Sequence, residues 1–450
     1  MQTNLADFLQ GTKDGERAKE IIGACVHCGF CSATCPTYQV LGDELDGPRG
    51  RIYLMKQVLE GTPATASTQL HLDRCLTCRS CETTCPSGVE YSHLLDIGRN
   101  VVEQQVPRPL GQQWLRKSLL KVLPRPLLAT PLLKIGKALR PVLPERLRQK
   151  MPVFAKPAYL KAVRDMGKFD GDGWPARAQS RRMLILDGCV QPGMAPNINA
   201  AAARVFDALG VQLVRAPKAG CCGALRHHLN EQEAALADMR RNIDAWWPYI
   251  DGAQGVEAIL MTASGCGVTV REYGYLLAHD ADYAHKAARI ALLTSDISEL
   301  LPPFLPALQA LVQGNAAKKA AAGLAVPATR VAYHPPCTLQ HGQQLRGQVE
   351  SLLRALNVEV KLPQDSHLCC GSAGTYSIFQ PELANSLRDN KLRNLAACLG
   401  HGGGHEANGK GAGASGACIV SGNIGCLTHL QCGTETPVRH WIELVDDLIW

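Results

Sequence analysis

Aromatic residues are only 5% of this 450-residue chain, and charged residues a modest 19%. The composition is not that of a disordered, collagen-like or coiled-coil protein. No stretch of about 18 continuous apolar residues occurs, so no helix is expected to span a membrane. Met1 to Leu9 has neither a basic nor an apolar leader region, which predicts no secretory signal. A strand–GxGxxG–helix fingerprint is missing, so no nucleotide site is expected. Helix-turn-helix and zinc-finger patterns are missing too, which argues against a nucleic-acid partner.

Cysteine is what the chain has in excess, with 19 residues. In a reducing cytosol, dense and regularly spaced cysteines point to metal or catalysis rather than disulfides. The apolar fraction of 46% is enough to bury a sizeable core, and the length suggests two or three domains. The net charge of +7 is unevenly placed: residues 106–182 hold 18 Lys/Arg against 4 Asp/Glu. Such a zone concerns partners or surfaces, not fold.

Two internal repeats are written in cysteine. Cys25, Cys28, Cys31, Cys35 and Pro36 recur at an offset of 50 as Cys75, Cys78, Cys81, Cys85 and Pro86. Cys189, Cys221, Cys222 and Gly223 recur at an offset of 148 as Cys337, Cys369, Cys370 and Gly371. Cys266 matches Cys426 at an offset of 160, and the Gly-rich run Gly400–Gly416 accommodates the 12 extra residues as a surface insertion. Three regions follow. Residues 1–105 form a two-cluster ferredoxin domain, 106–180 a basic Pro/Leu-rich connecting segment, and 181–450 a duplicated cysteine-rich domain with halves of about 181–325 and 326–450.

The expected fold is α/β overall, with a helical two-cluster 4Fe-4S module followed by duplicated Cys-Cys-Gly units on parallel strands. Short apolar runs predict strands at Met183–Leu186, Val211–Val214 and Ala258–Met261, then at Arg330–Tyr333, Val358–Lys361 and Cys418–Val420. A helix is expected over Asn230–Trp247. The repeated cysteines fall beyond the carboxyl ends of these strands, the edge of an open α/β sheet where ligands bind.

C-x2-C-x2-C-x3-C-P occurs twice, and this run is the bacterial ferredoxin signature. Three close thiolates hold three corners of a cube of iron and sulfide, and the fourth ligates the other cube. One 4Fe-4S cluster is thus assigned to Cys25, Cys28, Cys31 and Cys85, and the other to Cys35, Cys75, Cys78 and Cys81. Structural zinc sites instead use two ligand pairs separated by a longer loop. Arg49 and Arg51, between the motifs, are candidates for countering cluster charge or for ordinary solvated arginines.

Each Cys-Cys-Gly half offers four cysteines: Cys189, Cys221, Cys222 and Cys266, then Cys337, Cys369, Cys370 and Cys426. These residues suit a third or fourth cluster, a redox dithiol, or apolar core positions, and the residues alone leave the three open. One further cluster is expected ahead of two, with the first half the better candidate because the Gly-rich run precedes Cys426. His334 and His367 lie near these motifs and read first as structural. From Leu110 to Lys150, Leu-rich patches alternate with Lys and Arg, which suits either an amphipathic membrane-surface element or a strap packed on its own domain.

Together these motifs resemble the iron–sulfur subunits of bacterial glycolate oxidases (glycolate dehydrogenases). The resemblance runs over nearly the whole chain. It rests on Cys-Val-His-Cys-Gly-Phe-Cys at 25–31, Gly-Asp-Glu-Leu-Asp-Gly-Pro-Arg-Gly-Arg-Ile-Tyr-Leu at 42–54 and His-Leu-Asp-Arg-Cys-Leu-Thr-Cys-Arg at 71–79. It includes Thr-Ala-Ser-Gly-Cys-Gly at 262–267 and Ser-His-Leu-Cys-Cys-Gly-Ser-Ala-Gly-Thr-Tyr at 366–376. The ferredoxin and Cys-Cys-Gly parts alone are shared with a wider class. In that class each half often ends in C-x-x-C, whereas here Ala263 and Asn423 stand at the first of those cysteines, so no five-cysteine site is available.

The resemblance implies an electron-transfer subunit with two flavin-binding partner subunits that oxidise glycolate, with D-lactate a further substrate. Electrons would pass to a membrane quinone or other acceptor, from a cytoplasmic chain peripheral to the inner face of the cell membrane. Nearby alternatives are service to another 2-hydroxy acid or to glycerol-3-phosphate, or disulfide reduction at the Cys-Cys-Gly site. The missing C-x-x-C cysteines count against the last.

Overall fold

The computed structural model describes residues 1–142, 154, 169–170, 173–252, 255–321, 330–400 and 417–450. The Gly-rich run after Gly400 and most of the basic segment after Val142 lie outside the described residues.

The N-terminal part is helical. Helices Lys13–Ala24, Pro48–Leu59 and Tyr91–Gln105 bury Ala18, Ile22, Met55, Leu59, Leu94 and Leu95 between them. The Thr12 hydroxyl starts the first helix by accepting from the Gly15 N–H at 3.1 Å. Gly98 lets two of these helices approach, because a Cβ there would stand 2.5 Å from the Met55 sulfur. Two short helices, Phe30–Ala33 and Ser80–Thr84, carry the third cysteine of each motif.

Beyond Arg181 the fold is α/β, with two four-stranded parallel sheets. In the first, β1 (Arg181–Ile185), β2 (Val211–Arg215), β3 (Ile259–Met261) and β4 (Thr294–Asp296) lie in the order β2-β1-β3-β4. In the second, β5 (Arg330–His334), β6 (Glu359–Lys361), β7 (Cys418–Ser421) and β8 (Val438–His440) lie in the order β6-β5-β7-β8. Leu184 pairs with Ile259 in one sheet, and Tyr333 with Val420 in the other. The first three strands of each sheet match the apolar runs of the sequence. The fourth strands, Thr294-Ser295-Asp296 and Val438-Arg439-His440, are too short and polar to show in it. Strand order reverses beside β1 and β5, and the carboxyl ends there are the edge at which open α/β sheets bind ligands. The long helix, expected at Asn230–Trp247, spans Gln232–Ile250 and buries Trp246 completely.

The two halves share one hydrophobic core. Helix Asn197–Ala208 of the first packs on helix Trp441–Ile449 of the second. Between them Arg204 and Asp446, both fully buried, bond at 3.0 Å. His440 accepts from the Ile442 N–H through Nδ1 (3.1 Å) and donates from Nε2 to the Thr262 carbonyl (2.8 Å), so it caps a helix and joins the halves in its neutral form.

The connecting segment begins as two helices, Leu110–Val122 and Pro126–Leu139. Ala129 is buried, and Thr130 and Leu133 lie against Gly193 of the first half. Leu110, Trp114, Leu127 and Leu132 face outward, with Leu127 89% exposed. The pair is therefore a packed strap on one side and an apolar surface on the other. Among the described residues no helix is long and apolar enough to cross a membrane.

Candidate metal centre

The two ferredoxin motifs fold alike. His27 and Gly29 in the first, and Thr77 and Arg79 in the second, are left-handed, with φ of 57°, 83°, 49° and 59°. Left-handed turns of this kind curl a loop so that its N–H groups line a concavity suited to anions. The Thr77 N–H already points at the Cys75 sulfur at 3.5 Å. Gly29 also gives way to Arg49, whose Nη1 would lie 3.1 Å from a Cβ at that position.

Each motif borders a cavity. One, of about 30 Å³, is lined by Cys25, Cys28, Cys31, Cys85, Arg49 and Tyr91. The other, of about 20 Å³, is lined by Cys35, Cys75, Cys78, Arg51 and Leu95. Cys81 borders both. The fourth cysteine of each motif thus stands with the first three of the other. A 4Fe-4S cluster fits this donor set: four thiols converge on open space at each position, on loops shaped for anionic charge. Burial, reinforced by Cys25, pushes the Cys31 thiol up to about 11. Burial likewise raises Cys78 and Cys81. Such thiols are protonated without metal, so loading either site releases protons.

The two arginines between the motifs part ways. Arg49 is half-exposed beside the first cavity and bonds Glu44 at 2.7 Å. Arg51 is 1% exposed beside the second, donating to the His71 carbonyl at 2.7 Å and the Thr37 hydroxyl at 3.2 Å. Burial opposes its charge, but the Cys75 and Cys35 thiols and Asp46 hold its pKa raised. Asp46 also takes Arg74 at 2.8 Å and His71 at 3.1 Å, so a buried ionic network braces this cavity. The surroundings of the two sites differ in exposure. Cys28 is exposed, flanked by Val26 at 67% and Phe30 at 61%, whereas Cys35, Cys78 and Cys81 are buried.

In the Cys-Cys-Gly units the repeated cysteines gather at the crevice of each sheet. Cys189 follows β1, Cys221 and Cys222 follow β2, and Cys266 lies on helix Ser264–Arg271 after β3. Cys189, Cys221, Cys222 and Cys266 form a chain of sulfur contacts. In the second half Cys337 and Cys369 are 3.8 Å apart, and Cys369, Cys370 and Cys426 continue the chain. The glycine after each pair is left-handed, with φ of 92° at Gly223 and 88° at Gly371. A Cβ on Gly371 would stand 2.5 Å from the Ala384 carbonyl oxygen.

The second half meets the ferredoxin module directly. Cys78, Leu76, Cys337, Cys369, Tyr376 and Leu387 belong to one buried cluster. Thr83 bonds His341 at 2.8 Å, and the Tyr376 hydroxyl donates to the Arg74 carbonyl at 3.1 Å. His341 sits on a π-helical turn, Thr338–Gly342, just after Cys337. The first half docks through Glu272, which bonds Arg79 at 2.5 Å. Burial opposes the Glu272 charge, but His93, 3.6 Å away, and Arg79 hold its pKa down at about 2. Apart from the cysteines, none of these docking residues was singled out from the sequence, because contacts across roughly 200 to 300 residues leave no local pattern. Asn423, at the position of the missing cysteine, accepts from the Gly265 N–H at 3.2 Å and so bridges the halves.

The two histidines near the motifs differ. His367 is exposed, and its carbonyl takes a 2.8 Å bond from His341. His334 is fully buried at the end of β5, within 4.8 Å of the Cys370 and Cys426 sulfurs.

Residues 21–89 match the 4Fe-4S dicluster domain, and residues 183–271 and 331–431 match the cysteine-rich domain. Over its full length the chain is 50% identical to the glycolate oxidase iron-sulfur subunit of Escherichia coli, covering 99% of that protein. It is 30% identical to the probable glycolate oxidase iron-sulfur subunit of Bacillus subtilis, over 91% of this chain and 88% of that one. Over 44% of its length it is 21% identical to lactate utilization protein A of Geobacillus thermodenitrificans, covering 75% of that protein.

Proposed function

Because the chain belongs to the family of glycolate oxidase iron–sulfur subunits, we propose that it takes electrons from flavin-binding partner subunits oxidising glycolate and delivers them to a membrane acceptor. In this reading Cys25, Cys28, Cys31 and Cys85 hold one 4Fe-4S cluster, and Cys35, Cys75, Cys78 and Cys81 hold the other. Bound there, each cluster supplies one-electron acceptance with little change of shape.

The observation that carries the reading is the graded setting of the thiols. Cys28 lies at the surface between apolar Val26 and Phe30, a fitting docking rim for a partner subunit. Cys78 is buried against Cys337 and Cys369. Electrons would therefore enter at the first cluster and leave through the second. Arg51, buried beside the second cluster, and the curled Cys75 loop offset added negative charge. Either Cys-Cys-Gly half offers four thiols for a further centre along this path.

The membrane acceptor is supported by the connecting helices. Between Leu110 and Val142 the sequence has seven Lys/Arg and no Asp/Glu, alongside the outward Leu110, Trp114, Leu127 and Leu132. That combination suits an anionic lipid surface. A cavity of about 60 Å³ lies behind the first of these helices, lined by Cys75, Arg99, Arg116, Tyr376 and Phe379. A quinone ring arriving from the membrane would meet the second cluster there.

The test is anaerobic reduction of the complete complex by glycolate, followed by electron paramagnetic resonance. Both clusters should be reduced in the complex. The isolated chain should contain no flavin and stay oxidised. Glycolate-dependent dye reduction by the isolated chain would overturn the subunit reading.

A further inference from the structure

The two Cys-Cys-Gly halves are not equivalent at their sheet crevices. His334 occupies the position that the 148-residue repeat gives to Leu186 in the first half. Leu186 belongs to the same buried apolar cluster as Cys222. His334 is fully buried, and neither ring nitrogen has a hydrogen-bond partner. An unpaired polar group at such depth is destabilising, and the leucine at the matching position of the first half shows that packing alone does not call for an imidazole. The ring is aimed at something specific: its ligating nitrogen and the Cys370 and Cys426 sulfurs all lie within 4.8 Å of one another.

The adjacent cysteines touch each other and face different further neighbours. Cys369 turns to Cys337, at 3.8 Å, and toward Cys78 of the dicluster module. Cys370 turns to Cys426 and His334. The first half has four thiols without an imidazole, and the second has four thiols with one.

We propose that His334 is a metal ligand, which with Cys370 and Cys426 holds a thiophilic metal in the second half. Thiolate and imidazole donors suit iron and zinc. The contact of Cys337 and Cys369 with Cys78 favours iron, as a centre in series with the second ferredoxin cluster. An imidazole ligand, neutral where a thiolate is anionic, raises the potential of an iron–sulfur centre. Electrons arriving from an all-cysteine cluster would then move downhill to this one. The inference deepens the electron-transfer reading but stands on its own donors.

The experiment is metal analysis of the full-length chain purified without oxygen, as wild type, His334→Leu, His334→Cys and Cys426→Ser. The dicluster module accounts for about 8 iron atoms. The wild type should carry metal beyond these. His334→Leu and Cys426→Ser should lose the same increment and keep the 8, whereas His334→Cys, which restores a donor, should retain it. If the increment is iron, pulsed resonance of the reduced protein should show hyperfine coupling to a directly bound imidazole nitrogen, gone in His334→Leu. Zinc at the same stoichiometry and with the same variant pattern would keep the site and overturn its place in series. A wild type with 8 iron and no other metal, or an increment unchanged in His334→Leu, would overturn the proposal. Loss of the dicluster iron itself would count against the electron-transfer reading instead.

Discussion

At the scale of single residues, what distinguishes ligand from neighbour is where a side chain is carried. Cys35 follows the first three cysteines in sequence, yet it is buried beside the cavity of Cys75 and Cys78. Changing Cys35 to Ser should therefore damage the second cluster and leave the Cys25 cluster spectroscopically intact. Loss confined to the Cys25 cluster would reverse the pairing. Gly371 is a second such case. Its left-handed backbone and the Ala384 carbonyl, 2.5 Å from a built Cβ, leave no room for a side chain. Gly371→Ala should cost about 1–3 kcal/mol from the backbone alone, read as a lower urea midpoint. Gly11, also left-handed but with nothing within 4 Å, should tolerate alanine better.

At the scale of elements, the joint between the halves hangs on β8 and the helix after it. Burial lowers the pKa of His440 to about 4, against the Thr262 hydrogen bond. The unfolded chain takes up this proton near pH 6.5 and the folded chain does not. Stability from this group is thus complete above pH 6.5 and falls as the pH drops toward 4. The full span is worth ~3 kcal/mol, of which ~1.4 kcal/mol is lost by pH 5.5. Urea midpoints at pH 7.5 and 5.5 should diverge more for the wild type than for His440→Gln, which does not titrate. Arg204 and Asp446 tie the same two elements from the other side. Removing one partner of a fully buried pair costs about 3–5 kcal/mol, so Arg204→Met should unfold the duplicated part at markedly lower urea.

At the scale of the whole molecule, the ferredoxin module sits against both halves of the duplicated part, through Cys78 on one and Arg79 with Glu272 on the other. The connecting helices lie outside this core, with one face packed and the other apolar and basic. The complete complex should float with anionic liposomes at low salt. Each basic residue near the surface contributes about 1 kcal/mol, and salt screens it. High salt should release the complex, and a Trp114→Ala, Leu127→Ala pair should weaken flotation. Absence of binding to anionic vesicles would remove the membrane role.

Much of this protein is local, and therefore legible in the sequence. Cluster-type spacing lies within 11 residues, because one short loop must wrap three corners of a cube. The central strands β1, β3, β5 and β7 are legible because strands buried on both faces are continuous apolar runs, while the edge strands β2 and β6 show only an alternation of apolar and polar residues. The family resemblance rests on strings of the same local kind. The rest is long-range. β4 and β8 exist because neighbouring strands offer an edge, not because of their own residues. The abutment of Cys78 on Cys337 and Cys369 joins residues more than 250 positions apart, and only packing could decide it. His334 is the intermediate case. The repeat already set it against Leu186, but an unpaired imidazole facing two thiols is defined by burial, and burial belongs to the folded chain.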